Sequence, residues 1–216
     1  MPLRFRYQTF EFGSRDVHLR SLRDTQQYSD PGGKALDLGI SPANWALFGV
    51  VWDSSQVLAR LMADFDIDGK RILELGCGMA LSSLLLNRRG ADITATDYHP
   101  EAGTFLESNT LLNQDSNIPF FRADWSQHGS TEGLFDLIIA SDVLYENFNL
   151  SSLARFVEDH AQPTCDVVIV DPGRKQQGAF SKLMSAYTFT YDREEVRDFP
   201  GLKKPFNGSI LRFCRR

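Results

Sequence analysis

Between residues 72 and 80 the chain reads Ile72-Leu73-Glu74-Leu75-Gly76-Cys77-Gly78-Met79-Ala80, an apolar run holding an acid and ending in two glycines one residue apart. A strand that closes in such a turn and opens a helix lets backbone approach a nucleotide-like ligand at the carboxyl edge of a sheet. The dinucleotide fingerprint would need glycine at position 81, where Leu81 stands, so a pyrophosphate cradle is disfavoured. Glu74 points instead to a ligand carrying a cation, and S-adenosylmethionine has both an ammonium and a sulfonium. Asp97 follows Gly76 by 21 positions, where a carboxylate accepts hydrogen bonds from both ribose hydroxyls. Tyr98 is placed to lie on an adenine face, and Asp124-Trp125 to meet the adenine edge and flank. The bland alternative, acids that merely cap strand-to-helix turns, explains one or two of these three carboxylates more readily than all of them.

These residues need elements that bring them together. From Lys70 onward the apolar period alternates between strand and helix. Strands are expected at 71–75, 92–97, 118–123, 135–140 and 166–170, with helices at 81–89, 100–113, 150–160 and 176–187 between and after them. An earlier helix runs from about Ser54, its expected N-cap, to Phe65. Two closing strands, near 188–196 and 209–214, are joined without a helix and must run antiparallel. This order predicts an α/β Rossmann-like sheet of seven strands, mostly parallel with an antiparallel last strand and helices on both faces. At the front, alternation around Gly13-Ser14 predicts a β-hairpin, and turn chemistry at Asp30-Pro31-Gly32-Gly33 and Ser41-Pro42 predicts a loop over residues 24–44. That loop is long enough to be a lid. The expected organisation is an N-terminal extension over residues 1–45 and one catalytic domain over residues 46–216.

Composition narrows the class. A chain of 216 residues with 42% hydrophobic and 24% charged residues is globular, neither disordered nor fibrous, and at roughly 150 residues per domain it holds one domain. No stretch approaches the roughly 18 apolar residues of a membrane span, and the N-terminus lacks a signal-peptide core, so a cytoplasmic protein is expected. Three cysteines at wide spacing and four histidines without ligand spacing argue against disulfides and a metal centre. His99, His128 and His160 are expected to be structural, and Asn109 and Asn113 solvent-side or capping. The net charge of −5 divides into basic ends and an acidic body, which disfavours nucleic acid as partner and leaves the charges to solvate the surface or attract a cationic partner.

The glycine turn, Val51-Trp52-Asp53-Ser54-Ser55 and Ala140-Ser141-Asp142-Val143-Leu144-Tyr145-Glu146 together resemble the seven-strand S-adenosylmethionine-dependent methyltransferases, and within them the non-SET protein-lysine methyltransferases. Glu74 to Ala80 is similar to their E-x-G-x-G-x-G motif, with Ala80 in the place of the last glycine. Asp142-x-x-Tyr145 is similar to their D-x-x-Y signature, and Asp171-Pro172-Gly173-Arg174 resembles a turn of the branch acting on the electron-transfer flavoprotein. The resemblance spans about Phe48 to Arg174. It implies S-adenosylmethionine as cofactor, held by Trp52, Glu74, Gly76, Cys77, Gly78, Asp97, Tyr98, Asp124, Trp125 and Ser141, with Asp142 and Tyr145 catalytic. The acceptor it implies is a protein lysine; the oligomeric state is open, a monomer being favoured. A lysine amine with a pKa near 10.4 is almost wholly protonated at pH 7, so a carboxylate at Asp142 would capture and orient the ammonium, while Tyr145 positions the nitrogen. A metabolite amine as acceptor, a non-catalytic cofactor-binding module and a nicotinamide oxidoreductase are the alternatives.

Overall fold

Short strands of alternating or continuous apolar residues, each followed by an amphipathic helix, leave one solution: a sheet buried between helical layers. The computed structural model describes residues 3–25, 28–30, 32–127, 129, 131–145, 150–202 and 204–216. Its elements are β1 (Phe5–Phe12), β2 (Arg15–Leu22), α1 (Lys34–Asp37), a 3-10 turn (Leu47–Gly49), α2 (Asp53–Asp64), β3 (Arg71–Leu75), α3 (Leu81–Arg88), β4 (Asp92–Asp97) and α4 (Ala102–Leu112). There follow β5 (Phe120–Arg122), β6 (Phe135–Ser141), α5 (Leu150–His160), β7 (Ala161–Asp171), α6 (Gln177–Ala186), β8 (Thr190–Arg197) and β9 (Asn207–Arg215).

The seven-stranded sheet has the order β5-β4-β3-β6-β7-β9-β8. Strands β3 to β7 pair in parallel, and β9 runs antiparallel between β7 and β8, as the expected fold class requires. Successive strands walk outward from β3 to β5 and then restart on its other side at β6, so the chain reverses direction of winding between β3 and β6. In open α/β sheets a ligand crevice forms at the carboxyl ends beside such a switch.

The β1–β2 hairpin turns through Gly13, whose φ of +63° suits a residue without a Cβ. Val17, Leu19 and Leu22 of β2 are buried in the same apolar cluster as α2, α3 and α4, and each such burial contributes roughly 1.5–3 kcal/mol. The free edge of β2 is closed by two side chains of α4. Asn109 accepts from the Arg20 N–H (2.7 Å) and donates to the Arg20 carbonyl (3.1 Å), while Asn113 does the same for His18 (2.8 and 2.6 Å). Four helical residues rise about 6 Å, close to the advance of two strand residues, so the pair imitates a neighbouring strand. Both asparagines are buried rather than solvent-side, and Asn113 stands at the C-cap of α4, in line with the capping alternative. The reason is that β2 presents backbone groups at that spacing and buried backbone must be paired.

Ser54 is likewise buried inside the first turn of α2 rather than capping it, because the helix begins at Asp53 and its N-cap is Trp52. Three arginines of the basic C-terminal segment are neutralised by ion pairs, Arg212 with Glu194 (2.9 Å), Arg216 with Asp166 (2.7 Å) and Arg215 with Glu158. Among the described residues no helix is long and apolar enough to cross a membrane, and no group of three or more His, Cys, Asp or Glu is placed to hold a metal ion. His160 is buried and stacked on Phe156; His128 and Glu146 lie outside the described residues.

Candidate active site

Strand register decides which side chains meet. Leu75 lies beside both Thr96 and Ala140, Asp97 beside Arg122, and Ser141 beside Val170. The residues at or just beyond the ends of these strands, Gly76, Tyr98, Asp124, Asp142 and Asp171, therefore share one sheet edge at the switch between β3 and β6. A surface concavity of about 680 Å³ lies at the opposite edge among Arg15, Asp64, Asp66, Arg89 and Asp92. It holds none of the strand-end chemistry, so volume alone does not locate this site.

Gly76 and Gly78 adopt φ of +59° and +51°, the left-handed region where a Cβ is costly. A Cβ on Gly76 would come within 3.1 Å of Val143, and one on Gly78 within 3.1 Å of the Phe48 carbonyl. The turn is thus a bare-backbone cradle, with Trp125 beside Gly76. Cys77 donates its N–H to the Thr96 carbonyl (3.0 Å), tying the turn to β4, and its buried thiol is pushed well above the usual range by desolvation. Ala80, where the motif has glycine, also takes a left-handed φ of +55°.

Asp97 accepts from the Gly78 N–H with one oxygen and the His99 N–H with the other, both at 2.8 Å. Burial raises its pKa, with backbone bonds from His99, Gly78 and Tyr98 opposing the rise, and a carboxylate with about four lone-pair sites still has room for a further donor. These residues fit a ribose-bearing cofactor: an acid with spare acceptor capacity stands beside a turn whose two glycines carry no side chain of their own. Glu74 is placed differently. It is only 2% exposed, and it accepts from both the N–H (2.9 Å) and the hydroxyl of Ser83 in α3. Desolvation pushes its pKa up to about 7. Ala80, the N-cap of α3, has no side-chain acceptor, so Glu74 fills that role and secures the cradle from beneath.

Asp124 accepts from the N–H (2.9 Å) and hydroxyl (2.7 Å) of Ser126, the turn-capping geometry. The Tyr98 hydroxyl donates to the Leu38 carbonyl (2.6 Å), and Arg122 lies over its ring at 5.7 Å. That hydrogen bond anchors the segment between β2 and α2, which also rests on Gly78 through Phe48 and pairs Lys34 with Glu101 (3.2 Å). Phe48 stacks on His99 at 3.9 Å, and burial lowers that imidazole to about 4, leaving it neutral at pH 7. Trp52 is 43% exposed at the head of α2, its indole N–H donating to the Leu47 carbonyl (3.0 Å).

Asp142 follows β6 with a left-handed φ of +53°, strain of a kind that concentrates at functional sites. Its N–H donates to the Val170 carbonyl (2.9 Å). Its carboxylate is held from the far side of β7 by Arg174, whose Nε and Nη2 donate at 2.9 and 3.0 Å. Ser141 is the last residue of β6, and Tyr145, three residues after Asp142, is exposed. The Arg174 contact was not visible in the spacing; its only trace is the Asp171-Pro172-Gly173-Arg174 turn.

Among curated proteins, the chain is 30% identical to the zebrafish (Danio rerio) protein N-lysine methyltransferase METTL21A over 126 residues, covering 53% of this chain and 57% of that protein. It is also 30% identical to the zebrafish electron transfer flavoprotein beta subunit lysine methyltransferase over 141 residues, covering 61% and 51%. The chain thus spans about half the length of these relatives. Among solved structures, the Thermus thermophilus 16S rRNA N2 G1207 methyltransferase in complex with AdoMet and guanosine superposes with a TM-score of 0.68 at 14% identity. It covers 100% of this chain and 52% of its own. A Pyrococcus furiosus methyltransferase superposes at 0.56 with 19% identity, covering 70% and 77%. Both likenesses establish the fold. Residues 36–186 match the lysine methyltransferase family, and the chain belongs to that family.

Proposed function

We propose that the chain is an S-adenosylmethionine-dependent N-methyltransferase whose acceptor is a protein lysine ε-amine. The observation that carries this reading is the convergence of the Gly76–Gly78 cradle, Asp97 and Asp142 on one sheet edge in a member of the lysine methyltransferase family. Gly76, Cys77 and Gly78 offer backbone to the cofactor, Asp97 accepts from its ribose, and Trp52, Tyr98, Asp124, Trp125 and Ser141 border it. Glu74 positions the cradle. The cofactor supplies a methyl group activated by a positively charged sulfur.

Asp142 orients the acceptor nitrogen, Tyr145 borders the acceptor, and the proton of the ammonium leaves to water before nitrogen attacks. Holding nucleophile and methyl in line supplies much of the rate. The three cysteines are unpaired, in keeping with a reducing, cytoplasmic setting.

Incubation with methyl-labelled S-adenosylmethionine and whole-cell lysate, followed by digestion of the macromolecular fraction, tests the reading. Label on a protein lysine supports it; label confined to small molecules moves the function to metabolite methylation, and cofactor binding without label in either fraction points to a binding module. The Asp142→Asn variant is expected to lose transfer while keeping cofactor affinity, since asparagine tolerates the left-handed backbone. Full turnover in that variant would remove Asp142 from the mechanism.

A further inference from the structure

Capture of a lysine by a lone carboxylate has a chemical cost: the anion stabilises the protonated amine, the form that cannot attack. The structure sets a cation against that anion. Arg174 meets Asp142 side-on through two parallel hydrogen bonds of 2.9 and 3.0 Å, with side-chain exposures of 46% and 17%, a planar fork that only arginine makes. The arginine is itself held in place. Asp171, fully buried, accepts with one oxygen from the N–H groups of Gly173 (2.9 Å) and Arg174 (2.7 Å) and from the Gln177 side chain (2.6 Å). Gly173 at φ +92° permits the turn that aims the guanidinium back across β7.

We propose that Arg174 is a positioning residue of the methyl-transfer site: its guanidinium fixes the Asp142 carboxylate and balances its charge, so that the acceptor nitrogen is oriented without being locked in its protonated form. This rests on the proposed methyltransferase reading. Carboxylate oxygens bound in this fork keep lone pairs on their outer side, where an acceptor nitrogen can still bond. The other charged groups at this corner nearly cancel. Arg193 and Glu195 of β8 bond each other (3.1 Å), and Arg197 lies 3.9 Å from Glu195; these three border a cavity of about 300 Å³ beside Gly173. Asp171 lies beneath the turn, and Lys175 follows it. Among the described residues, Arg174 is the cation bonded directly to Asp142.

Two variants and two measurements test this. Arg174→Met removes the charge and keeps the bulk; Arg174→Lys keeps the charge without the fork. Losing a positive charge beside the acceptor raises the acceptor's apparent pKa by about one unit. The methionine variant is expected to show a several-fold lower KM and a roughly tenfold lower kcat at pH 7, with the rate recovering toward wild type as pH rises. The lysine variant is expected to restore most of the profile. In parallel, affinity for a fluorescent oligolysine peptide is measured with S-adenosylhomocysteine present at pH 7, and the methionine variant is expected to bind more tightly than wild type. Parallel pH profiles, a kcat loss equal at every pH, or unchanged or weaker peptide binding would overturn the proposal. Should wild type bind S-adenosylmethionine yet label no lysine, the methyltransferase reading fails, and the peptide comparison still decides the part played by Arg174.

Discussion

Glu74→Gln exposes the electrostatics beneath the cradle. The carboxyl of Glu74 is buried and its pKa is raised from 4.5 to about 7, chiefly by desolvation, with the Ser83 bonds opposing the rise. A raised acid binds its proton more tightly in the native than in the unfolded chain. Between pH about 4.5 and about 7 the native state therefore holds more protons, and stability falls as pH rises through that window. The contribution is fully present below pH about 4.5 and lost above about 7. A shift from 4.5 to about 7 corresponds to about 3 kcal/mol. Glutamine has no such titration, and its amide oxygen can accept the Ser83 N–H while its NH2 donates to the Ser83 hydroxyl. Urea unfolding of both proteins from pH 4.5 to 8, followed by circular dichroism, gives the difference curve. Wild type is expected to lose about 3 kcal/mol relative to the variant across the window and nothing beyond it. Parallel curves, or a wild type that gains on the variant with rising pH, would refute the burial argument.

Other perturbations test separate parts of the site. Asn109→Leu leaves the N–H and carbonyl of Arg20 without their side-chain partner and is expected to cost about 1–3 kcal/mol, with hydrogen exchange accelerating first at the β2 amides. Unchanged protection there would mean that the hairpin does not depend on the clamp. Gly78→Ala forces a left-handed alanine whose Cβ sits 3.1 Å from the Phe48 carbonyl, a backbone strain of about 1–2 kcal/mol. Thermal melts are expected to drop, and calorimetric affinity for S-adenosylmethionine to fall with them. Asp97→Ala removes the acceptor for the Gly78 and His99 N–H groups and is expected to weaken that affinity at least tenfold, about 1.4 kcal/mol; retained affinity would take Asp97 out of the cofactor site.

The strand-and-helix order, the glycine cradle and the strand-end acids were legible before folding because they rest on local periods and turn chemistry. Side-chain parity even held a clue to Glu74, which shares a strand face with Ile72, while Leu73 and Leu75 pack on the other side. What parity cannot say is that one oxygen of this acid meets the N–H and hydroxyl of Ser83 in α3. The asparagine clamp joins residues 89 and 95 positions apart, and the Asp142–Arg174 pair spans 32 positions across β7. Neither follows from any local rule. Such contacts exist only once strand register and helix docking have brought distant backbone and side chains into hydrogen-bonding distance, and it is tertiary structure that pairs one strand-end acid with a turn, another with the glycine backbone and a third with an arginine.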